Sequence, residues 1–497
     1  SKVPYFGRNV GAVQTVSSVM DDVATKALPP IVNVSGKVNV NAFSPRDGKI
    51  DLSTINEIAP SLNAASRALT SAQKQLRHID AGSLLLPLRG PVSTIQYKIE
   101  SARSAASAGD LAARLMPTML GQNETRRYLL LIQNNAETRA TGGISGSFAL
   151  ITAKRGKLTM GRQGSNLDLK PFAKPVVQMT NDEKSVFTDQ LVRDLRDSNV
   201  TPHFPRTGEI TAAMARKSLG VTVDGVISVD PIALSQILGG TGPVTLADKT
   251  VLDQTNAVEM LLNTVYLRYQ DNEKQDAVLE SAARSIFDVI KAGTGQSRTI
   301  ISGMVLAANE NRLMLWSSHP DEQREIAPTG LSGVFSEDGG AKPHVGVYFG
   351  DGSSTKMEYY LDYSTLARST RCLVGGAQAI STNTQLVSNA PTGLPLSVTG
   401  DGSFWPRGEM RIYAWLYAPH GGRFLSVRVD GVPQVITSAR LRGRAETTVV
   451  LTIKPGEAHS ITTTMISGRD QRDDGVFSTT PGVRPTLNDV PIPSACS

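Results

Sequence analysis

The sequence lacks any long apolar run. Among its 497 residues there is no stretch of about 18 consecutive apolar residues, so no segment is predicted to cross a bilayer as a helix. It also has no block of five or more Lys or Arg, although its formal net charge is +6. Such dispersed charge disfavours nucleic acid as a partner. An anionic polymer, a phosphorylated ligand or ordinary surface charge fits it equally well.

Metal-binding side chains are scarce. The only cysteines are Cys372 and Cys496, too few for a metal motif. They would pair in an exported protein and tie the proline-rich tail to the last domain, or stay as two free thiols. No two of the six histidines have the spacing of zinc ligands, and the six are His78, His203, His319, His344, His420 and His459.

Familiar enzyme motifs are incomplete. The stretch GGISGS around Ser145 lacks the final glycine of a nucleophile elbow. GGTG at 239–242 lacks the third glycine of a dinucleotide loop. Acidic residues such as Asp168, Asp194 and Asp197 form no recognisable pair, so a glycan hydrolase has little support.

Two coiled-coil repeats stand near the start of the chain. Apolar residues follow a 3-4 spacing within 52–80 and again within 92–106, and they are Leu62, Ala65, Leu69, Ala72, Leu76 and Ile79, then Val92, Ile95, Ile99, Ala102 and Ala106. Gly82 and Pro87 interrupt the pattern between them. We predict an antiparallel helical hairpin, a spacer domain at 1–120.

The middle of the chain alternates strands and helices. GVISV is a buried strand, Asp230 an N-cap and Pro231 the first residue of a short helix. A new strand, PVTL, follows. This order predicts an α/β domain with a mixed sheet at 121–342.

Beyond residue 343 the pattern becomes β-rich. MRIYAWLYAP has the strand period and Asp430-Gly431 suits a hairpin turn. We predict an immunoglobulin-like sandwich with an extended tail at 343–497.

The stretch QNNAETRATGGISGSFALI, residues 133–151, concentrates candidate ligands between two apolar runs. The glycine pair Gly142 and Gly143 brings bare amides close to an anion, and Arg139 suits bidentate phosphate binding. Asn134, Asn135 and Glu137 add hydrogen-bonding or metal-binding groups. The alternative is a tight turn with capping amides and an ordinary surface arginine.

Four stretches resemble the signature of a bacterial family known as domain of unknown function 4012. They are RRYLLLIQNNAETRATGGISGSFAL, NVTPHFP, DGVISVDPIALSQILGGTGPVTL and LLNTVYLRYQDNEKQDAVL. The resemblance runs over roughly residues 1–470. It implies an extracytoplasmic cell-envelope protein, held in the membrane by an N-terminal anchor that lies outside this sequence.

The order of the last two stretches also resembles, more distantly, the LytR-CpsA-Psr phosphotransferases, which move a glycopolymer from a polyprenyl-pyrophosphate carrier to a cell-wall sugar. That resemblance implies an apolar lipid tunnel, with Arg139 and Arg268 as catalytic residues. It implies a pyrophosphate site that includes Lys274 and Gln275, to which Asn134, Asn135, Gly142 and Gly143 of the stretch 133–151 would add their own amide and backbone groups. It also implies Mg²⁺, and because that family's acidic residue behind the first arginine is absent here, the candidate metal ligands are Glu137, Asp168 and Asp271.

Two functions follow from these resemblances. One is transfer of a polyprenyl-linked glycopolymer to a wall sugar. The other is a non-catalytic envelope protein that binds lipid-linked or wall polysaccharide as a scaffold, a role that the missing acidic residue favours.

Overall fold

The computed structural model describes residues 4–33, 43–46, 48–336, 339–485 and 489–496. Contacts divide the chain into two compact units. The first takes in the described residues of Ser1–Arg126 with Thr152–Thr159 and Ile290–Gly293, and the second takes in the rest. The predicted boundary near 120 lies close to the end of the first long segment. The boundary at 342/343 lies inside the second unit, and the three-domain division stays a prediction.

The first unit is helical, as predicted. Its helices are α1 (Pro4–Asp22), α2 (Leu28–Asn33), α3 (Leu52–Leu76) and α4 (Leu86–Met119), with a π-helical turn at Val23–Ala27. Asp51 starts α3 by accepting the backbone N–H groups of Ser53 and Thr54.

The contacts between α3 and α4 establish an antiparallel hairpin. Asn63 of α3 forms a hydrogen bond with Asp110 of α4, and Ser66 forms one with Ser107. The residue numbers therefore increase along α3 while those of their partners decrease along α4. The seam residues Leu69, Ala72 and Leu76 are buried as predicted. Residues of α1 pack on the same seam, an addition that the two repeats did not predict. No helix in the described chain is both long enough and apolar enough to cross a membrane.

Nine further α-helices follow in the described chain. They are α5 (Asn181–Val186), α6 (Phe204–Leu219), α7 (Pro231–Thr241), α8 (Ala257–Glu259), α9 (Val265–Arg268), α10 (Asn272–Ala292), α11 (Ser297–Asn309), α12 (Pro320–Ile326) and α13 (Leu396–Thr399), of which α6, α10 and α11 are the longest. A π-helical turn, Met260–Thr264, joins α8 to α9. Asp230 caps α7 by accepting from the Ala233 N–H at 2.8 Å, as the sequence predicted.

The central sheet is mixed, in agreement with the prediction. Its strands are β1 (Arg126–Arg139), β2 (Gly142–Lys154), β3 (Lys157–Ser165), β4 (Gly225–Val229) and β7 (Leu313–Ser317), in the order β3-β2-β1-β4-β7. β1 and β4 run parallel, whereas β4 and β7 are antiparallel. A separate two-stranded pair is formed by β5 (Val244–Thr245) and β6 (Val251–Leu252).

Two further sheets form the C-terminal part. The first, in the order β13-β12-β16-β10-β9, contains β9 (Leu361–Cys372), β10 (Gln378–Ser388), β12 (Arg423–Val429), β13 (Val432–Pro433) and β16 (Ala458–Ile466). The second, in the order β14-β15-β11-β8-β17-β18, contains β8 (His344–Asp351), β11 (Met410–His420), β14 (Arg440–Leu441), β15 (Arg444–Ile453), β17 (Gly475–Thr479) and β18 (Val490–Ile492).

One apolar core joins these two sheets. Ile380 and Ile461 of the first sheet pack in the same cluster as Phe349 and Ile412 of the second. Tyr266, at the end of the α8–α9 helix, belongs to this cluster too, so the α/β and β parts share a core within the second unit. The immunoglobulin-like assignment stays a prediction.

Cys372 and Cys496 form a disulfide that closes a separation of 124 residues along the chain. The sequence had left paired and free thiols open. A crosslink over so long a segment removes much chain entropy from the unfolded state.

We expect the double variant Cys372→Ser/Cys496→Ser to lose about 2–5 kcal/mol of unfolding free energy. Urea denaturation of the variant and of the oxidised protein measures the difference. Adding a reductant should destabilise the native protein by a similar amount and leave the variant unchanged. Equal midpoints for all samples would contradict the disulfide.

Glu446 on β15 is a buried carboxyl group. Its side chain accepts a hydrogen bond from the Thr448 hydroxyl at 2.6 Å, and burial raises its pKa to about 7. The folded state therefore holds this proton more tightly than the unfolded chain does. Its stabilising contribution is complete below the unfolded pKa of about 4.3 and is lost as the pH rises towards 7.

We expect the unfolding free energy of Glu446→Gln, measured relative to that of the native protein, to be roughly 2–4 kcal/mol higher at pH 8 than at pH 4.5. Urea unfolding at several pH values measures this difference. A difference that does not vary with pH would mean that Glu446 titrates normally in the fold.

Candidate functional site

A pocket of about 200 Å³ lies in the second unit, between the central sheet and α7 to α10. Its apolar lining consists of Ile132, Ile144, Pro231, Leu234, Leu261, Leu262, Leu279, Ala282 and Ala283. Its other lining residues are Gln133, Asn134, Glu137, Gly146, Ser147, Asn166, Arg196, Tyr266, Asn272, Gln275, Asp276 and Lys356.

The lining changes from polar to apolar along α10. Its pocket residues follow the helical period, with Asn272, Gln275 and Asp276 in the first turns and Leu279, Ala282 and Ala283 further along. On β1 the change runs in the opposite chain direction, because the apolar residue Ile132 precedes the polar residues Asn134 and Glu137. The pocket therefore has a polar end and an apolar interior.

A chain of contacts orders the polar end. The Asn134 side-chain amide donates to Glu137 Oε2 at 3.0 Å and to the Tyr266 hydroxyl at 2.9 Å. Lys356 Nζ lies 3.6 Å from Glu137 Oε2 and 4.9 Å from the centre of the Tyr266 ring. Burial raises the pKa of Tyr266 well above its ordinary value, so the phenol stays protonated. Lys356 is thus a cation held in place on two sides.

Arg196 and Asp276 add a second pair of charges to the lining. Arg196 forms a bidentate pair with Asp194, with Nη2 to Oδ2 at 2.6 Å, and almost half of its side chain is exposed. Burial raises the pKa of Asp276, the nearby charges of Asp168 and Glu137 raise it further, and Ser165 and Lys356 oppose this. A carboxyl group in such surroundings holds a proton more readily than a free one.

The three cations expected to clamp a pyrophosphate do not line this pocket together. Arg139 is buried, its Nε donates to the Arg196 carbonyl at 2.9 Å, and its guanidinium lies 3.4 Å from Asp197 and 3.9 Å from Asp351. Arg268 borders a separate cavity of about 10 Å³, room for about one water molecule. Lys274 is exposed on α10 and is not a lining residue.

Ala140 and Thr141 form the tight turn between β1 and β2, and the glycine pair begins β2. The Gly143 N–H donates to the Gln133 side chain at 3.1 Å and is not free to bind an anion. Gly142 has a φ of 131°, and a Cβ there would lie 2.3 Å from Gln133 Oε1, so only glycine fits. Asn135 donates to Asp230 and to the Pro481 carbonyl, away from the pocket.

Of the predicted site residues, the structure brings Asn134, Glu137 and Gln275 together in the pocket lining. The other two metal candidates do not line the pocket. Asp168 is exposed and accepts a hydrogen bond from the Ser165 N–H, and Asp271 accepts one from the Glu273 N–H. Across the described residues, no three His, Cys, Asp or Glu side chains form a group that could hold a metal ion by themselves.

Sequence reasoning missed Arg196, Asp276 and Lys356. The helical spacing of Asn272, Gln275, Asp276 and Leu279 was a signal for Asp276, because these positions share one face of a helix. For Lys356 we find no such signal. It reaches Glu137 only through the packing of segments more than 200 positions apart.

Residues 123–266 match the family described as "Protein of unknown function (DUF4012)". The chain therefore carries a DUF4012 segment. This confirms the family resemblance over the segment, which begins three residues before β1, ends at Tyr266 and so includes both ends of the Asn134–Tyr266 hydrogen bond. No curated protein matches the chain.

Among solved structures, the chain is similar to the Lin1025 protein from Listeria innocua, with 16% identity over 42% of this chain and 78% of that one and a TM-score of 0.25. It is similar to the transcriptional regulator EF0465 from Enterococcus faecalis, with 14% identity over 43% and 74% and a TM-score of 0.25. For B. subtilis TagV the identity is 14% over 42% and 82%, with a TM-score of 0.24.

The burial of Arg139 leads to a stability prediction. We expect Arg139→Ala to lower the unfolding free energy by about 3–5 kcal/mol, because it leaves the buried Asp351 carboxylate without its cation. Arg268→Ala is the control, since Arg268 is half-exposed and 4.0 Å from Asp248, and we expect it to cost less than about 1 kcal/mol. Thermal and urea unfolding compare the two, and equal losses would contradict the assignment.

Proposed function

We propose that this protein binds the phosphate end of a polyprenyl-linked glycopolymer of the cell envelope in the pocket between the central sheet and α10. The observation that supports this most is the order of the lining residues. Apolar side chains line the interior, and the cation Lys356, which is held by Glu137, lies at the polar end with Asn134 and Gln275. An amphiphile with an apolar tail and an anionic head matches this order.

The apolar interior suits the first part of an isoprenoid chain. A volume of about 200 Å³ is below the roughly 300–1,000 Å³ of typical small-molecule sites, so only the units next to the phosphate fit inside. Each buried methylene group contributes about 0.8 kcal/mol. The remaining length of a long carrier would lie outside the pocket.

The polar end suits a phosphate group. Lys356 supplies a point charge, and Arg196 has exposed N–H groups beyond those that bind Asp194. Glu137 is the predicted metal ligand that lines this end, and Mg²⁺ in proteins commonly uses one or two carboxylates together with substrate phosphates. When bound there, Mg²⁺ would neutralise charge on the phosphate oxygens.

Transfer of the polymer is the finer part of the proposal. A sugar hydroxyl of the acceptor would form a new bond to the glycosyl phosphorus, and the bond from that phosphorus to the lipid phosphate would break. The hydroxyl proton would pass to Asp276, the second carboxyl group of the lining, whose raised pKa suits proton uptake. Without turnover, the same pocket would serve the scaffold function.

An extracytoplasmic location belongs to the same proposal. The Cys372–Cys496 disulfide supports it, because disulfides persist mainly in oxidising compartments.

We expect geranylgeranyl phosphate to bind, and Leu279→Trp to weaken its binding at least about tenfold by filling the apolar interior. Lys356→Gln should weaken binding about fivefold to thirtyfold, because a partly buried charge pair contributes about 1–2 kcal/mol. Lys274→Gln is the matched control, since it removes the same charge from α10 outside the pocket. Calorimetric titration gives the three affinities.

The comparison with geranylgeraniol separates the two ends of the pocket, because the alcohol should bind equally well to the native protein and to Lys356→Gln. If Leu279→Trp and Lys356→Gln both bound geranylgeranyl phosphate as tightly as the native protein does, the pocket assignment would be wrong. Release of polyprenyl phosphate from a lipid-linked glycan, dependent on Mg²⁺ and reduced by Asp276→Asn, would select transfer. Binding without release would select the scaffold.

A further inference from the structure

The outer face of the sheet β13-β12-β16-β10-β9 has an unusual side-chain composition. Residues alternate between the core and this face, so that Ile380, Thr382 and Thr384 of β10 are buried while Asn383 and Gln385 are exposed. The pairing registers then fix which outward residues are neighbours.

Four exposed arginines lie on this face. They occupy three neighbouring registers, that is, rows of outward residues that pair across the strands. Arg368 and Arg371 are on β9, and Arg423 and Arg428 are on β12. Strands β10 and β16 lie between β9 and β12, so the two arginine pairs are three strand spacings apart, or about 14 Å.

A strip of hydroxyl and amide groups separates the arginine pairs in two of the three registers, while Ala379 and Ile466 lie between Arg371 and Arg423 in the third. The strip consists of the outward residues Ser381 and Asn383 of β10 with Thr462 and Thr464 of β16. The three registers, every one of which lies in the described chain, contain neither an acidic nor an aromatic residue.

Asp362 and Asp430 lie towards the opposite end of this sheet and have basic partners, whereas Asp470 follows β16 on the arginine side, where its N–H donates to the Gly375 carbonyl and its carboxylate pairs with Arg472 at 3.4 Å. Asp362 pairs with Arg484 at 3.3 Å, and Asp430 pairs with His459 at 2.7 Å. The positive charge of the face is therefore concentrated at the end that carries the arginines.

We propose that this face binds a linear anionic polysaccharide. Arginine binds phosphate and carboxylate groups in bidentate fashion, and the central strip offers donors and acceptors for sugar hydroxyl groups. The absence of aromatic residues disfavours single-stranded nucleic acid, which stacks its bases on such side chains. A protein partner is disfavoured too, because protein interfaces concentrate aromatic anchors.

The inference rests on the proposed function only in taking a sugar polymer as the ligand, and it does not need the lipid pocket. The probes are therefore free of lipid: a glycerol-phosphate polymer for phosphodiester charge and polygalacturonate for carboxylate charge. Neutral dextran and duplex DNA are the comparison ligands.

We expect Arg368→Gln/Arg428→Gln to weaken binding of at least one anionic glycan by roughly twofold to thirtyfold, as the loss of two exposed charge contacts implies. Arg216→Gln/Arg324→Gln removes the same charge from exposed helical positions, and it should bind like the native protein. The dependence of affinity on salt concentration should also become weaker in the first variant alone.

The glycan that binds identifies the anionic group. Failure of both anionic glycans to bind, equal losses in the two double variants, or DNA binding as tight as glycan binding would overturn the proposal. Leu279→Trp and Lys356→Gln should leave this binding unchanged, so failure of the lipid pocket and failure of the sheet face give different results.

Discussion

The buried ion pair between Asp230 and Arg312 holds the centre of the second unit together. Their atoms approach to 2.8 Å, and both side chains are 1% exposed. Burial alone would lower the pKa of Arg312, but Asp230, with help from Glu310 and Tyr363, more than offsets this and the pKa is raised. Asp230 also accepts from the Ala233 N–H and from the Asn135 amide. One carboxylate therefore fixes α7 and the carboxyl end of β1, which supply Leu234 and Glu137 to the pocket.

The polar residues after Ile132 mostly bond to other buried groups of the protein, as Asn135 does to Asp230. Gln133 satisfies the Gly143 N–H, and Asn135 satisfies Asp230. Buried polar groups need such partners, since each unsatisfied one costs about 1–3 kcal/mol. The density of amides and glycines in 133–143 thus reflects a tight buried hairpin. Gln133, Asn134 and Glu137 are the residues of this stretch that also line the pocket.

The parts of the fold that depend on local pattern were predictable from the sequence. The seam of Leu69, Ala72 and Leu76 and the Asp230-Pro231 helix start need only periodicity and capping. The site depended on contacts across long separations. Arg139 looked like a free phosphate ligand because nothing nearby in sequence shows that Asp351 lies beside it. Lys356 was missed for the same reason, since it joins Glu137 through the core that the β-rich part shares with the helices.

The charges around the pocket limit what it can hold. Lys356 is balanced by Glu137, and Arg196 by Asp194, while Asp276 adds a further carboxyl group without a close cation of its own among the lining residues. The lining is therefore not strongly positive. A phosphate monoester that displaces the Glu137 contact of Lys356 needs no other change. The diphosphate of a lipid-linked glycan has one ionised oxygen on each phosphorus, and Glu137 and Asp194 already balance the two cations of the lining. An added cation would therefore strengthen its binding, and the same cation would stabilise the charge that develops when the polymer is transferred.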